Sequence, residues 1–228
     1  TTTLLDWLRS TGRTGSKEGC AEGDCGACTV ALVDRDADGR PTFRAINSCI
    51  ALLPMFAGRE VVTVEGLADG IKLHPVQSGM VNNYGSQCGY CTPGFVVSLF
   101  EGYYRKDCRD PAAINDQVCG NLCRCTGYRA IRDAALDAFQ SSPVGSALAP
   151  TSRTKVGASA DPTEDRFAAR LKKPVSSPTA LDYAAGDDRF FRPTTLADLF
   201  KLQRRHPDAR LVAGATEIGV ELNKKFKR

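Results

Sequence analysis

No run of apolar residues in this chain approaches the roughly eighteen that a membrane-spanning helix needs. Basic residues are spread along the sequence rather than gathered into a stripe, apart from a short tail at Lys224, Lys225, Lys227 and Arg228. That argues against a nucleic-acid footprint. Histidine is scarce, with only His74 and His206 present. His74 precedes a proline at a helix start, where capping or packing is the expected role. His206 lies beside Arg204 and Arg205 near a helix end, where a solvated side chain is expected. Neither supports catalysis. No Ser/His/Asp set, paired-carboxylate site or phosphate loop of the G-x-x-x-x-G-K type occurs.

What is abundant is cysteine, ten in 228 residues. A disulfide framework is the first reading of an even count, but such frameworks belong mostly to small secreted domains without a core. Here eight of the ten fall in tight groups, C-x4-C-x2-C, C-x2-C and C-x-C, a spacing suited to converging on a metal. The other two read as bystanders: Cys119 as a small apolar helix residue, Cys108 as a free surface thiol in a polar loop.

The chain reads as α+β. Residues 1–70 form a small mixed unit: a helix at Leu4–Arg9, a Gly-rich loop from Gly12 to Ala27, and strands at Thr29–Val33, Pro41–Ile46 and Val61–Val64, with a helical turn over Ile50–Met55 that ends near Pro54. Residues 71–140 read as all-helical. Helices are expected at His74–Tyr84, from Thr92 (N-cap) and Pro93, over Ala112–Val118, and after Thr126, where Ile131, Ala135, Ala138 and Phe139 recur at helical spacing. Residues 141–186, rich in Ser, Pro, Ala and Gly with a weakly helical middle at 164–172, read as a linker. Residues 187–228 begin another structured unit, with a helix after Pro193-Thr194-Thr195 and a strand at Ala209–Ala213. The chain starts without Met at Thr1-Thr2-Thr3 and stops at Lys227-Arg228, so it reads as cut at both ends.

Cys20, Cys25, Cys28 and Cys49 have the plant-type [2Fe–2S] spacing. A cluster needs a loop that wraps it closely with backbone N–H groups aimed at the sulfurs. Gly19, Gly23, Gly26 and Ala27 permit that approach. Zinc usually takes its ligands in pairs two to four residues apart, so iron–sulfur is favoured here. Cys88, Cys91, Cys123 and Cys125 form a second set, each half just before an expected helix N-terminus, where free N–H groups favour an anion. On spacing alone, zinc or a redox dithiol remains open for this set. Two fully ligated clusters, each contributing about −2, would take the formal charge of +4 to about zero.

The segments KEGCAEGDCGACTV, SQCGYCTPGF and GNLCRCTGYR resemble the iron–sulfur region of the xanthine dehydrogenase family of molybdenum hydroxylases. The resemblance covers residues 1 to about 140, with a weaker match over about 190–228. It implies a ferredoxin-like β-grasp domain, an all-helical bundle domain with the second cluster, and the start of an α+β FAD-binding domain. Electrons would pass from a molybdopterin centre through both clusters to FAD. The cluster on Cys88, Cys91, Cys123 and Cys125 would lie nearer the molybdenum, and Gln87 would contact the pterin. Leu211, Val212, Ala213, Gly214, Ala215, Thr216, Glu217 and Ile218 look like the family's first FAD-binding loop, whose free N–H groups and Thr216 hydroxyl suit a pyrophosphate. Clusters and flavin segment on one chain suit the family's iron–sulfur/FAD small subunit. The implied partners are a molybdenum-binding large subunit in a heterotetramer and NAD as final acceptor. The implied reaction is hydroxylation of xanthine or hypoxanthine, and the implied location is the cytoplasm. Against the family pattern, a first β-hairpin is missing before Thr1 and the flavin domain breaks off. Two other readings stand beside this one: an aldehyde oxidase or heterocycle hydroxylase of the same family, and a structural zinc module that binds a partner.

Overall fold

The computed structural model describes residues 2–144, 165–214 and 216–224. Helix α1 (Leu4–Ser10) starts at a reciprocal cap: the Thr3 hydroxyl accepts from the Asp6 N–H at 3.1 Å, and the Asp6 carboxylate accepts from the Thr3 N–H. This satisfies two of the helix's orphan donors. Leu4, Leu5 and Leu8 are its buried residues. Strands β1 (Thr29–Arg35) and β2 (Pro41–Asn47) pair antiparallel from Thr29↔Asn47 to Arg35↔Pro41. Asp36 closes the turn between them by accepting from the Asp38 and Arg40 N–H groups. Strand β3 (Val61–Val62) pairs on the other side of β1, giving the order β2-β1-β3.

The helical part consists of α2 (Pro75–Asn82), α3 (Thr92–Tyr104), α4 (Pro111–Gln117) and α5 (Arg129–Phe139). Helix α3 is buried nearly all round, and its rings reach into the sheet, with Phe43 of β2 4.7 Å from Phe100 between centroids. Helices α2 and α5 approach closely because position 79 is glycine. A Cβ there would stand 2.5 Å from the Ala134 carbonyl oxygen. Ala31, Val33 and Phe43 of the sheet share one core with residues of α2, α3 and α5. The mixed unit and the helical unit are thus packed as one body.

Downstream, α6 (Arg166–Arg170) inserts Phe167 against Phe43, His74 and Phe100. A hairpin of β4 (Leu181–Ala185) and β5 (Asp188–Arg192) follows, then α7 (Leu196–Arg205), capped by Thr195, and α8 (Thr216–Lys224). No helix among the described residues is long and apolar enough to cross a membrane.

Several local expectations need correction. Pro54 opens a 3-10 turn (Leu53–Phe56) rather than ending a helical turn, because proline's fixed φ and missing N–H suit a first turn. The residue that caps α3 is Cys91, not Thr92, which is the helix's first residue. The third strand is two residues long, since the chain turns into a 3-10 turn at Val64–Leu67. Residues 181–186, read as linker, form half of the β4–β5 hairpin, whose reversal uses Gly186 at φ +58°. Residues 209–213 are irregular rather than a strand. No other strand among the described residues is hydrogen-bonded to them, and a strand needs a partner for its N–H and C=O groups. The linker's helical middle appears as α6, whereas 145–164, Ala215 of the flavin loop, and Lys225, Lys227 and Arg228 of the basic tail lie outside the described residues.

Candidate metal centres

The first four cysteines converge from two places. Cys20, Cys25 and Cys28 lie on the loop between α1 and β1, while Cys49 follows β2. Since β1 and β2 are a hairpin, the register Thr29↔Asn47 returns Cys49 to Cys28. Ser48 ties the ends together, its hydroxyl donating to the Cys28 carbonyl at 2.6 Å. Cys28 and Cys49 are 1 % and 2 % exposed. The glycines do what close wrapping requires. A Cβ at Gly19 would stand 2.6 Å from the Cys25 sulfur, and Gly23 and Gly26 have φ of +89° and +69°.

The thiols associate in pairs: Cys20 with Cys25, and Cys28 with Cys49. Within each pair one sulfur holds the negative charge more readily. The Cys49 thiol, hydrogen-bonded to Cys28, brings Cys28 down to about 7 against the opposing effect of burial, while Cys49 itself is pushed up by the same bond. For Cys20, burial pushes the pKa up. The N–H groups of Glu22, Cys25 and Asp24, 3.3–3.5 Å from its sulfur, outweigh burial and leave it lowered. Cys25 is raised, chiefly by burial.

The second set also pairs, Cys91 with Cys123 and Cys88 with Cys125. Cys88 and Cys91 lie just before α3, with Cys91 its N-cap, and Cys123 and Cys125 sit on the loop before α5. Burial, then the Cys123 thiol, pushes Cys91 up to about 12. Cys123 is lowered: burial opposes this, but the Thr126 hydroxyl at 3.1 Å and the Thr126 N–H at 3.5 Å both face its sulfur. Cys125 is raised by the Cys88 thiol. The loop is held by the Tyr128 hydroxyl, which accepts from the Cys123 N–H at 3.0 Å, with Tyr128 itself at φ +67°. Cys88, Cys125 and Gln87 are exposed.

The two loops touch. The Leu122 N–H, one residue before Cys123, donates to the Cys25 carbonyl at 3.0 Å. Buried Asn121 donates to the Gly26 carbonyl at 3.2 Å. A Cβ at Gly26 would stand 2.4 Å from the Asn121 amide nitrogen, and one at Gly94 would stand 2.1 Å from the Gly26 oxygen.

The donor sets fit two iron–sulfur clusters. Two pairs of soft thiolates per site offer two sulfurs to each of two irons, and N–H groups aimed at the sulfurs stabilise a site that carries net negative charge. Among the described residues, no three His, Cys, Asp or Glu side chains gather as a single-ion site.

The two remaining cysteines exchange their expected places. Cys108 is buried, its thiol facing the Ala113 carbonyl at 3.6 Å and pushed up to about 11 by burial, because the loop after α3 folds back under α4. Cys119 is exposed beyond the C-terminus of α4. His74 caps α2: its Nδ1 accepts from the Val76 N–H at 3.2 Å, and its Nε2 meets the Tyr104 hydroxyl at 3.0 Å. His206 stacks on Phe191 at 4.8 Å rather than standing free. Of the residues expected at a flavin, Leu211, Val212, Ala213 and Ile218 line an open cleft of about 2120 Å³ between the mixed unit and the chain after residue 178. Gly214 has φ +74°, and Thr216 and Glu217 begin α8.

Sequence reasoning missed Thr126, Tyr128, Asn121 and Ser48. Each stands within three residues of one of the eight grouped cysteines, and that adjacency was the available signal.

Residues 1–53 match the family model for a 2Fe-2S iron-sulfur cluster binding domain, and residues 63–136 match that for a [2Fe-2S] binding domain. The chain is 36% identical to xanthine dehydrogenase of Emericella nidulans, over 99% of this chain and 19% of that protein. It is 33% identical to xanthine dehydrogenase 1 of Arabidopsis thaliana, over 98% and 19%. The chain therefore spans about a fifth of the length of these curated relatives. Among solved structures, quinoline 2-oxidoreductase from Pseudomonas putida 86 matches with TM-score 0.52 at 35% identity, covering 63% of this chain and 85% of that one. Aldehyde oxidoreductase from Desulfovibrio gigas matches with TM-score 0.53 at 36% identity, covering 61% and 15%. With both cluster domains matched in order and the likeness running nearly end to end, the chain belongs to the xanthine dehydrogenase family of molybdenum hydroxylases, as part of its iron–sulfur region.

Proposed function

We propose that this chain conducts electrons from a molybdopterin centre on a partner, through two [2Fe–2S] sites, to FAD during hydroxylation of xanthine or hypoxanthine. The ligands are Cys88, Cys91, Cys123 and Cys125 on the molybdenum side, and Cys20, Cys25, Cys28 and Cys49 on the flavin side. When bound, the clusters supply one-electron transfer. The protein's own part is to hold the thiolates in pairs, aim N–H groups at Cys20 and Cys123, and keep the two loops in contact. The observation that carries the reading is the Leu122 N–H bond to the Cys25 carbonyl. It joins a ligand residue of one foursome to the neighbour of a ligand of the other, as a short conduction route requires.

The outer face of the second site supports docking of a molybdenum-binding subunit. Tyr84, Tyr90, Leu122 and Tyr128 are exposed large apolar residues beside its ligands, and exposed Gln87 would reach the pterin. Residues 211–218 would contact FAD, with Gly214 in the left-handed region shortly before α8. The unit boundaries near residues 70, 140 and 186, a heterotetramer, NAD as final acceptor and a cytoplasmic location complete the proposal. A second reading, hydroxylation of an aldehyde or another heterocycle, is favoured by the matched structures of quinoline and aldehyde oxidoreductases. Assays of the assembled complex on purines against aldehydes and quinolines separate the two.

The test is the iron and acid-labile sulfide content of anaerobically purified protein, with EPR after dithionite reduction. About four irons per chain and two distinguishable signals are expected. Zinc without labile sulfide overturns the proposal and leaves a structural zinc module.

A further inference from the structure

Helix α8 lies across the first cysteine foursome, and contacts from two of its successive turns hold it there. At Gly219 the helix backbone comes so close that a Cβ would stand 2.2 Å from the Ile50 carbonyl oxygen and 2.7 Å from its Cα. Any larger residue would lift the helix. Val220 packs against Leu5, Cys28, Cys49 and Ile50. One turn after Gly219, the Asn223 amide donates to the Ala21 carbonyl at 3.0 Å and to the Cys49 carbonyl at 2.7 Å. Both partners are acceptors, so the amide orientation is set by them. Lys224 then donates to the Cys20 carbonyl at 2.7 Å and pairs with Glu22 at 3.4 Å.

These contacts fall on the joint of the site. Ala21 directly follows Cys20 and has φ +58°, a conformation that surrounding bonds must hold. Cys49 belongs to the other segment, beyond the β1–β2 hairpin. One side chain, from more than 170 residues away, therefore ties the loop of three ligands to the segment of the fourth. Without it, the Ala21 and Cys49 carbonyls lose a partner, and the turn that aims three N–H groups at the Cys20 sulfur is freer to open.

We propose that α8 is a latch on the first cluster and that Asn223 is its positioning residue. The latch sets the geometry of the Cys20 turn, and through it the hydrogen bonding that tunes the site. The inference rests on the proposed assignment of a [2Fe–2S] cluster to Cys20, Cys25, Cys28 and Cys49. It adds a coupling: the segment proposed to meet the flavin runs straight into the helix that clamps the adjacent cluster.

The test compares the full chain with Asn223→Ala by EPR, redox titration and iron loss to a chelator. In the variant, the first-cluster signal changes shape, its midpoint potential moves, and its iron is lost about 10-fold faster. The second cluster's signal and potential stay as in the parent protein. Asn223→Asp, which faces two carbonyls with a carboxylate, produces a larger change. Gly219→Ala, which leaves Asn223 intact but lifts the helix, also alters the first cluster alone, and it serves where an Asn223 variant does not fold. Unchanged first-cluster spectra and potential, or equal changes in both clusters, overturn the latch. Absence of [2Fe–2S] signals from the parent chain overturns the cluster assignment instead.

Discussion

The two cysteine foursomes place the same kind of donor in opposite settings. The first is an interior site, with Cys28 and Cys49 almost fully buried, a glycine-lined loop around it and α8 closing it from outside. The second opens outward, with Cys88 and Cys125 exposed and aromatic side chains around its rim. Charge is balanced differently too. In the first, three N–H groups in succession face Cys20, whereas in the second one threonine serves Cys123 with both its hydroxyl and its N–H. Burial strengthens such bonds by lowering the local dielectric. An exposed site gains less from them but leaves a surface on which a partner can dock. The difference suits the proposed relay, with an outer end open to a partner and an inner end held within its own chain.

The sharpest way to break this comparison is to remove one ligand at a time. Cys25→Ser should abolish the first signal and leave the second, with about half the iron retained, and Cys91→Ser should do the converse. Because the loops share the Leu122–Cys25 bond, loss of both signals from either variant, read by EPR and iron content, would show that the sites stand or fall together.

A smaller effect concerns the anchor between the helical unit and α6. Buried His74 is neutral, with Nδ1 accepting from Val76 and Nε2 donating to Tyr104, whose hydroxyl in turn donates to Asp165. Burial lowers its pKa from 6.5 to about 4. Between those values the unfolded chain binds a proton that the folded protein refuses. The stabilisation is therefore full above pH 6.5 and is lost as the pH falls towards 4, by about 3 kcal/mol in all. Urea unfolding at pH 7 and pH 4.5 should show the loss, and His74→Gln should reduce it.

The smallest expected effect sharpens the seam between the sites. Gly94→Ala places a methyl against the Gly26 oxygen and should cost about 1–3 kcal/mol in chemical denaturation, leaving both clusters bound. A neutral result would show that the two loops can part without penalty.

Much of this was legible beforehand. The helix expected at 4–9 and the strands expected at 29–33 and 41–46 appear as α1, β1 and β2, because the Thr3 cap and the Asp36 turn that set their ends are made by residues a few positions apart. Within each tight group the cysteine spacing is local as well, but the hairpin returns Cys49 and the packing of α3 against α5 brings Cys123 and Cys125 to Cys88 and Cys91. Legibility failed where long-range contact decides. Cys108 looks like a surface thiol until the chain folds under α4, and residues 209–213 look like a strand but have no strand partner among the described residues. The β4–β5 hairpin was hidden because neither strand has a buried residue, so no core face imposes the strict apolar–polar alternation that marks a half-buried strand.

By itself, then, the sequence determined the cysteine groups and the local turns that present them, because these depend on residues within a few positions of one another. Only the tertiary structure decided which thiol pairs with which, that one foursome is largely interior and the other more exposed, and that Asn223 bonds the Ala21 and Cys49 carbonyls of the first. Those outcomes depend on packing between segments far apart in the chain, where no periodicity or motif records the contact.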